Sequence, residues 1–197
     1  RNDFPDVPQI TQMHYQGEAL LTMGAEKQRV DNVLFADSMF FEVFDFKVLS
    51  GNPQVALGEP GKVFLTESMA KKLAKDKDAT HFRIAKVELE VAGIIADPPP
   101  ASHINFSMVI SMPSLTGDFI GGFPLDHWGL SARAYAYVAL PESHRPAAIE
   151  EQLEAVDAAH EGLGVGRGAP GLIGGKHVDD RAIALGVRGD LALVEAA

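Results

Sequence analysis

The chain has 197 residues, 46% hydrophobic and 22% charged, and such a chain buries either one core or two small lobes that share a connection. Its 27 acidic residues outnumber the 17 basic ones and give a formal net charge of −10, which excludes nucleic acid as a partner because phosphate binding needs a positive field. It contains no cysteine, so a thiolate nucleophile and a disulfide framework are both excluded.

Neither a membrane helix nor a signal peptide is recognisable in the sequence. The longest apolar runs, at 91–96 and 134–140, are far shorter than the roughly 20 residues that a membrane helix needs. The chain begins with the polar triplet Arg1-Asn2-Asp3 and has no initiator methionine. The sequence therefore predicts a piece excised from a longer protein.

The first 36 residues predict an antiparallel meander. Alternating apolar residues indicate strands at 10–15, 19–23 and 30–35. Residues 24–27 begin with a glycine and predict the turn between the second strand and the third.

A short helix is predicted next. Asp37 or Ser38 is expected to cap it, because either side chain can accept the unpaired N–H groups of a first turn. Phe40, Val43 and Phe44 then fall on one helical face. Four phenylalanines within seven residues predict an apolar plug that packs in the core, in preference to an aromatic ligand box.

Turns are predicted at 51–53 and 58–61, and a strand at 63–65 leads directly into a second helix. Thr66 is the expected N-cap of that helix. Its apolar stripe consists of Met69, Ala70 and Leu73, and the lysines near its C-terminus, where the helix dipole favours cations, are Lys71, Lys72 and Lys75.

The clearest strand alternation in the chain lies at 87–95, and the three prolines at 98–100 end it because proline cannot donate to a strand ladder. Two further strands are predicted at 106–112 and 133–140, with Tyr135 and Tyr137 facing the same way in the second.

The last third of the chain has a weaker pattern. Apolar residues at helical spacing predict a helix over 146–160. Seven glycines in 14 residues predict a flexible loop at 162–175, which matches no phosphate-binding motif. Segments 183–187 and 191–194 predict a closing hairpin.

The search for catalytic chemistry finds almost nothing. The seven histidines are not paired at metal-binding spacing, and there is no Gly-x-Ser-x-Gly motif. Asp97 and His103 can form a local hydrogen bond that fixes a loop, and a hydrolase that uses them as a catalytic dyad is a minor alternative. We therefore predict no enzyme and no catalytic, cofactor-binding or metal-binding residue.

Four blocks of sequence follow one another at residues 35–53, 63–72, 91–106 and 135–142. The first has the pattern D-x-x-F-F-x-x-F-x-F-x-x-x-x-G-x-P, and the second is a hydrophobic strand followed by T-E-S-x-A-K-K. The third has the pattern V-x-G-I-I-x-D-P-P-x-x-S-H-x-x-F, and the fourth is a strand followed by Pro-Glu. In this order the four blocks resemble the MacB-like periplasmic core domain of ABC-transporter permeases of the MacB and FtsX type.

The resemblance implies an α+β fold with a mixed sheet and short helices, made of a porter-like lobe and an inserted second small α/β lobe. We expect the first lobe at 1–97, the inserted lobe at 98–160, and a Gly-rich loop with a closing segment at 161–197. The chain departs from the family at 73–80, where a glycine-containing segment is usual, and residues 160–197 match no block.

The resemblance also implies a function. The parent protein would be an integral membrane permease subunit, with this domain on the periplasmic face of the bacterial inner membrane. Its expected partners are a cytoplasmic ATPase subunit or domain, a second permease copy and a periplasmic adaptor or lipoprotein. The domain would transmit ATP-driven motion to the periplasm and contact substrate or partner proteins there. The alternative is a free-standing periplasmic binding or adaptor module.

Overall fold

The structure is a computed structural model that describes residues 9–74, 80–120, 134–139 and 182–186. These residues form nine strands, three short α-helices and two 3-10 turns. In chain order they are β1 Gln9–Met23, β2 Glu26–Ala36, α1 Phe40–Val43, β3 Val48–Ser50, α2 Pro53–Ala56, β4 Lys62–Thr66, α3 Glu67–Leu73, β5 His81–Ile84, β6 Val87–Ile95, β7 Met108–Ser111, the 3-10 turns Met112–Ser114 and Gly117–Ile120, β8 Ala134–Ala139 and β9 Ala182–Gly186.

All nine strands belong to one mixed sheet. β1 pairs with β2, β2 with β7, β7 with β4, β4 with β6, β6 with β5, and β5 returns to β1, so six strands close into a ring. The β2–β7 and β4–β6 pairs are parallel and the other four are antiparallel. β8 and β9 extend the sheet from the first half of β1, and β3 pairs with the end of β6. The expected α+β fold with a mixed sheet is confirmed.

The long strand β1 corrects the prediction of separate strands at 10–15 and 19–23. Its pairing with β2 shifts by one residue at Gly17, which has a φ of +78°, and then returns to the original register. Met13 and Tyr15 precede the irregularity and pack in one core cluster, whereas Leu21 follows it and packs in another. The polar residues Gln16 and Glu18 on either side of Gly17 interrupt the apolar alternation at this point, so the sequence predicts two short strands where the chain forms one.

Two hydrophobic clusters occupy the two faces of the sheet, and strands β2, β4 and β7 supply alternate residues to each. The aromatic cluster consists of the buried residues Met13, Leu34, Ala36, Phe40, Phe44, Leu57, Phe64, Ile95, Ile104, Phe106, Val109 and Tyr137. The aliphatic cluster consists of Leu21, Val30, Val33, Phe35, Val63, Leu65, Met69, Leu73, Phe82, Ile84, Leu89, Met108 and Ile110.

Of the two N-caps predicted for α1 and α3, the structure confirms the one at α3 and corrects the one at α1. Thr66 caps α3 as predicted, since its Oγ1 accepts the Met69 N–H at 3.2 Å. At α1 the N-cap is Met39, without a side-chain cap, and the predicted cap at Ser38 is wrong. Asp37 instead accepts the Met39 N–H one residue before the helix, and α1 is a single turn.

The remaining predicted elements mostly agree with the structure. β6 has the predicted bounds, and β4, β7, β8 and β9 lie within one or two residues of theirs. The sequence missed the short elements β3, α2 and β5. The predicted helix at 146–160, the Gly-rich loop at 162–175 and the strand at 191–194 lie outside the described residues. The division into lobes at 97 and 160 stays a prediction.

Candidate functional site

Phe40 lies at the centre of the aromatic cluster. Its side chain is fully buried, and its ring centroid lies 5.1 Å from that of Phe41, 5.2 Å from Phe44, 5.7 Å from Phe46 and 6.0 Å from Phe106. Aromatic pairs at these separations add stabilisation beyond that of the buried area alone. The dense run of phenylalanines is therefore the core packing that the sequence predicted.

The rings around Phe40 connect α1 to two strands of the sheet. Phe44 meets Tyr137 of β8 edge-on at 4.9 Å, and the packing buries Tyr137 and raises the pKa of its hydroxyl well above the ordinary value. Phe41 lies 6.1 Å from Phe64 of β4. With Phe106 of the third block, residues from all four sequence blocks therefore meet here.

Asp37, at the start of the first block, attaches α1 to β1. One carboxylate oxygen accepts the Thr11 hydroxyl at 2.7 Å and the Met39 N–H at 3.0 Å, and the other accepts the Gln12 N–H at 2.9 Å. Thr11 is fully buried, so its hydroxyl needs this acceptor. The conformation at the helix entrance thus depends on a residue 26 positions earlier in the chain.

Two glycines from different blocks allow a close approach of backbones. A Cβ on Gly51, just after β3, would collide with the carbonyl oxygen of Ala92, and a Cβ on Gly93 would collide with the carbonyl oxygen of Ser50 and the ring of Phe64. Gly51 also has a φ of +87°, which favours glycine. β3 can therefore lie against β6 only because both positions lack a side chain.

Asp97, at the end of β6, holds the N-terminus of α3. Its carboxylate accepts the Ser68 hydroxyl at 2.8 Å and the Ser68 N–H at 3.2 Å. Partial burial acts to raise the pKa of Asp97, but the hydrogen bonds from Ser68 and Thr66 outweigh it, so the pKa lies below its ordinary value. The second and third sequence blocks are thus joined at this point.

The predicted hydrogen bond between Asp97 and His103 is wrong, because Asp97 turns toward Ser68. Among the described residues no hydrogen bond joins the two, and the His103 ring lies 6.3 Å from that of Tyr137. Partial burial lowers the pKa of His103. A base without its orienting carboxylate is not a catalytic dyad, so the geometry gives no support to the hydrolase alternative.

No group of three or more His, Asp or Glu side chains within the described ranges is placed to hold a metal ion. In the same part of the chain no helix combines the length and the hydrophobicity needed to cross a bilayer. The candidate site is therefore a set of structural junctions between the sequence blocks, which we call the signature junctions: the rings around Phe40 and the contacts of Asp37, Gly51 with Gly93, and Asp97 with Ser68.

Sequence reasoning missed that Asp37 accepts the hydroxyl of the buried Thr11, and it missed the contact between the two glycines. Gly93 did carry a usable signal, because a glycine inside an alternating strand indicates a bulge or a close backbone approach. Thr11 carried none, since a threonine in a predicted strand is ordinary.

A family model described as the MacB-like periplasmic core domain matches residues 1–156 of the chain. No curated protein matches the chain at a significant level. The family match spans the described strands β1 to β8 and all of the signature junctions.

Solved structures with a similar fold agree with this match. A domain of a putative permease protein from Porphyromonas gingivalis is 21% identical, with a TM-score of 0.61 and coverage of 79% of this chain and 71% of that one. The periplasmic region of MacB from Actinobacillus actinomycetemcomitans is 16% identical, with a TM-score of 0.56 and coverage of 79% and 68%. The extracellular domain of the noncanonic ABC-type transporter YknZ from Gram-positive bacteria is 15% identical, with a TM-score of 0.52 and coverage of 81% and 78%.

Proposed function

The chain belongs to the MacB-like periplasmic core domain family and is thus a periplasmic domain of an ABC-transporter permease, and from this premise we propose that it transmits ATP-driven conformational change to the periplasm. There it contacts the transported substrate or partner proteins. The observation that supports a mechanical role is the set of signature junctions, which tie α1, α3 and β3 to the strands of one sheet.

Two features of the junctions favour transmission over flexible binding. The phenylalanine rings around Phe40 interlock with β4 and β8, and packed aromatic side chains resist displacement. The two carboxylates of Asp37 and Asp97 fix the entrances of α1 and α3 in defined directions. Packed interfaces of this kind pass on a displacement as a rigid body instead of absorbing it.

The partners follow from the family. We propose a cytoplasmic ATPase subunit or domain, which acts through the membrane part of the permease, and a second permease copy. A periplasmic adaptor or lipoprotein is the proposed external partner. The formal net charge of −10 adds that such a partner would present a neutral or basic surface.

The domain itself is proposed to carry no catalysis and no cofactor. Asp97 is engaged by Ser68 and His103 lies against Tyr137, so the best candidate pair in the sequence is used to hold the fold. The family favours a permease domain over the alternative of a free-standing binding module.

The test uses the full-length permease with its ATPase in lipid nanodiscs. Lys27 is exposed on β2, and this domain has no cysteine, so in a full-length permease whose cysteines outside the domain are replaced by serine, Lys27→Cys places one nitroxide at a defined position in each copy. Pulsed EPR then measures the distance between the two labels in the nucleotide-free state and with a non-hydrolysable ATP analogue. Transmission predicts a distance distribution that shifts with the analogue and returns when it is removed.

An ATPase variant that cannot bind nucleotide is the matched control and should show no shift. A distribution that is the same in every nucleotide state would contradict transmission by this domain. The absence of any distance between labels would contradict the second permease copy.

A further inference from the structure

Asp37 is the residue at which the first strand and the aromatic cluster are joined by hydrogen bonds, and we propose that it is a positioning residue that makes α1 follow any displacement of the first half of β1. The inference rests on the proposed function, since it names the point through which motion passes inside the domain.

On the side of β1, Asp37 is attached by three hydrogen bonds. Its own N–H donates to the Gln12 carbonyl at 3.2 Å, and its carboxylate accepts the Gln12 N–H and the Thr11 hydroxyl. This arrangement continues the β1–β2 ladder one pair beyond Met13 and Ala36 and adds a side-chain contact to it. Thr11 and Gln12 therefore cannot move along the strand direction without breaking these bonds.

On the side of α1, two more hydrogen bonds attach Asp37. Its carboxylate accepts the Met39 N–H, and its carbonyl accepts the Phe40 N–H at 3.2 Å. Phe40 is the ring at the centre of the aromatic cluster. A single residue thus bonds directly to the strand and to the backbone of the cluster's central residue.

Hydrophobic packing between β1 and the cluster does not supply the same constraint. Met13 packs in the aromatic cluster, but its contacts are nondirectional and its unbranched side chain adapts to small shifts. Hydrogen bonds to a charged carboxylate are directional and about twice as strong as neutral ones. The direction in which α1 is held therefore depends on Asp37 and not on Met13.

The chemistry at this point also requires a carboxylate. The groups that face it are all donors: two backbone N–H groups and one hydroxyl. An amide in its place would turn an NH₂ group toward one of these donors. Asp37→Asn therefore keeps the size of the side chain and removes one connection, which makes it a sharper probe than truncation.

The experiment again uses the full-length permease with its ATPase in nanodiscs, now with two nitroxides in one domain. The exposed residues Lys27, on β2, and Glu42, on α1, are replaced by cysteine. When Asp37 is unchanged, we expect a narrow distribution of distances between the nitroxides at positions 27 and 42, and the same distribution with and without the ATP analogue. β2 pairs with β1 from Met13 to Met23, so the label at position 27 moves with β1. With Asp37→Asn we expect the distribution to broaden by about twofold and to depend on nucleotide, because α1 no longer follows β1.

Two further variants separate positioning from lost stability. Ile84→Val, in the aliphatic cluster, lowers stability without touching α1 and should keep the narrow distribution. Thr11→Val removes only the buried hydroxyl and should broaden the distribution less than Asp37→Asn, so it replaces that variant if Asp37→Asn does not fold.

A distribution that stays narrow in both Asp37→Asn and Thr11→Val would overturn the inference, as would equal broadening in Ile84→Val. Neither result bears on whether the domain moves with ATP. That question is answered by the distance between Lys27 labels in the two copies, so failure of the inference and failure of the proposed function are distinguishable.

Discussion

The aromatic and aliphatic clusters lie on opposite faces of the same strands, yet they are assembled from different kinds of element. The aliphatic cluster is supplied mainly by alternate residues of the ring strands, with Met69 and Leu73 of α3 added to it. The aromatic cluster collects α1, the chain around Phe106, and β8, which are elements that lie outside the ring.

The difference shows what the sequence blocks of the family specify. Aliphatic side chains of similar volume can fill the aliphatic cluster in many ways. The aromatic cluster needs particular ring contacts, two glycines and the carboxylate of Asp37 at defined places. The recognisable blocks therefore describe how helices and β3 are attached to the sheet, and much less how the sheet itself is filled.

The largest loss of stability should come from a substitution at the centre of the aromatic cluster. Phe40→Ala removes a fully buried ring with four phenylalanine neighbours and should lower the free energy of unfolding by about 3–5 kcal/mol. Urea unfolding of the purified chain measures it. Phe41→Ala, at a partly buried ring, is the matched control and should lower the free energy of unfolding by clearly less. Equal losses would mean that Phe40 is not the centre of the cluster.

The next largest loss of stability is expected where β3 and β6 approach each other closely. Gly93→Ala places a methyl group against the Ser50 carbonyl and the Phe64 ring and should destabilise by about 1–3 kcal/mol through overpacking. Gly58→Ala is the control for the loss of glycine itself, because Gly58 is exposed, its φ is not positive and its new Cβ would lie 3.3 Å from the nearest atom, the Val55 carbonyl oxygen. The comparison is made by thermal unfolding, and a Gly93 variant as stable as the Gly58 variant would show that β3 is free to move away.

A pair of conservative substitutions sharpens the contrast between the two clusters. Leu89→Met, in the aliphatic cluster, keeps the side-chain volume and should cost less than about 1.5 kcal/mol. Phe40→Leu keeps the hydrophobic character but loses the ring contacts, so it should cost more than Leu89→Met. If urea unfolding ranks the two variants the other way, the aromatic geometry is not what the first block specifies.

The smallest loss of stability is expected at the junction of β6 and α3. Ser68→Ala removes the hydroxyl bond to Asp97 and should cost about 1 kcal/mol at neutral pH. Because the pKa of Asp97 is depressed below its ordinary value of 3.8, its contribution is present above that pH and is lost as the pH falls through the folded-state pKa. Asp97→Asn should therefore flatten the fall in stability below pH 4.

Melting temperatures of the Asp97→Asn variant and the unsubstituted chain between pH 2.5 and 7 provide the measurement for this last prediction. Asp118→Asn, at the exposed ion pair with Lys86, is the control. Parallel melting curves for the unsubstituted chain and Asp97→Asn would show that this carboxylate is not bonded to Ser68 in solution.

The sequence predicted the elements that have strong local signals. β6 has uninterrupted alternation and α3 has a good N-cap, and both were found with the right type and nearly the right bounds. β3 and β5, with three and four residues, are too short for a periodicity to be read, and in β1 the apolar alternation is interrupted around Gly17, where the pairing with β2 is irregular. Local pattern decides what is predictable here.

The junctions were less predictable than the elements because their partners are far apart in the chain. Asp97 was paired with the nearby His103, whereas its partner in the structure is Ser68, 29 positions earlier. β4 and β6 are parallel neighbours, and this pairing brings the start of α3 to the end of β6. Such contacts follow from strand order, which a single sequence does not state.

The central claim is that the domain moves as one body because its helices are fixed to its sheet. Its most direct test is to measure two distances in the same full-length permease with and without an ATP analogue: Lys27 to Lys27 between copies, and Lys27 to Glu42 within one domain. We predict that the first distance shifts with nucleotide and the second does not. A first distance that stays constant, or a second that changes by a similar amount, would contradict the claim.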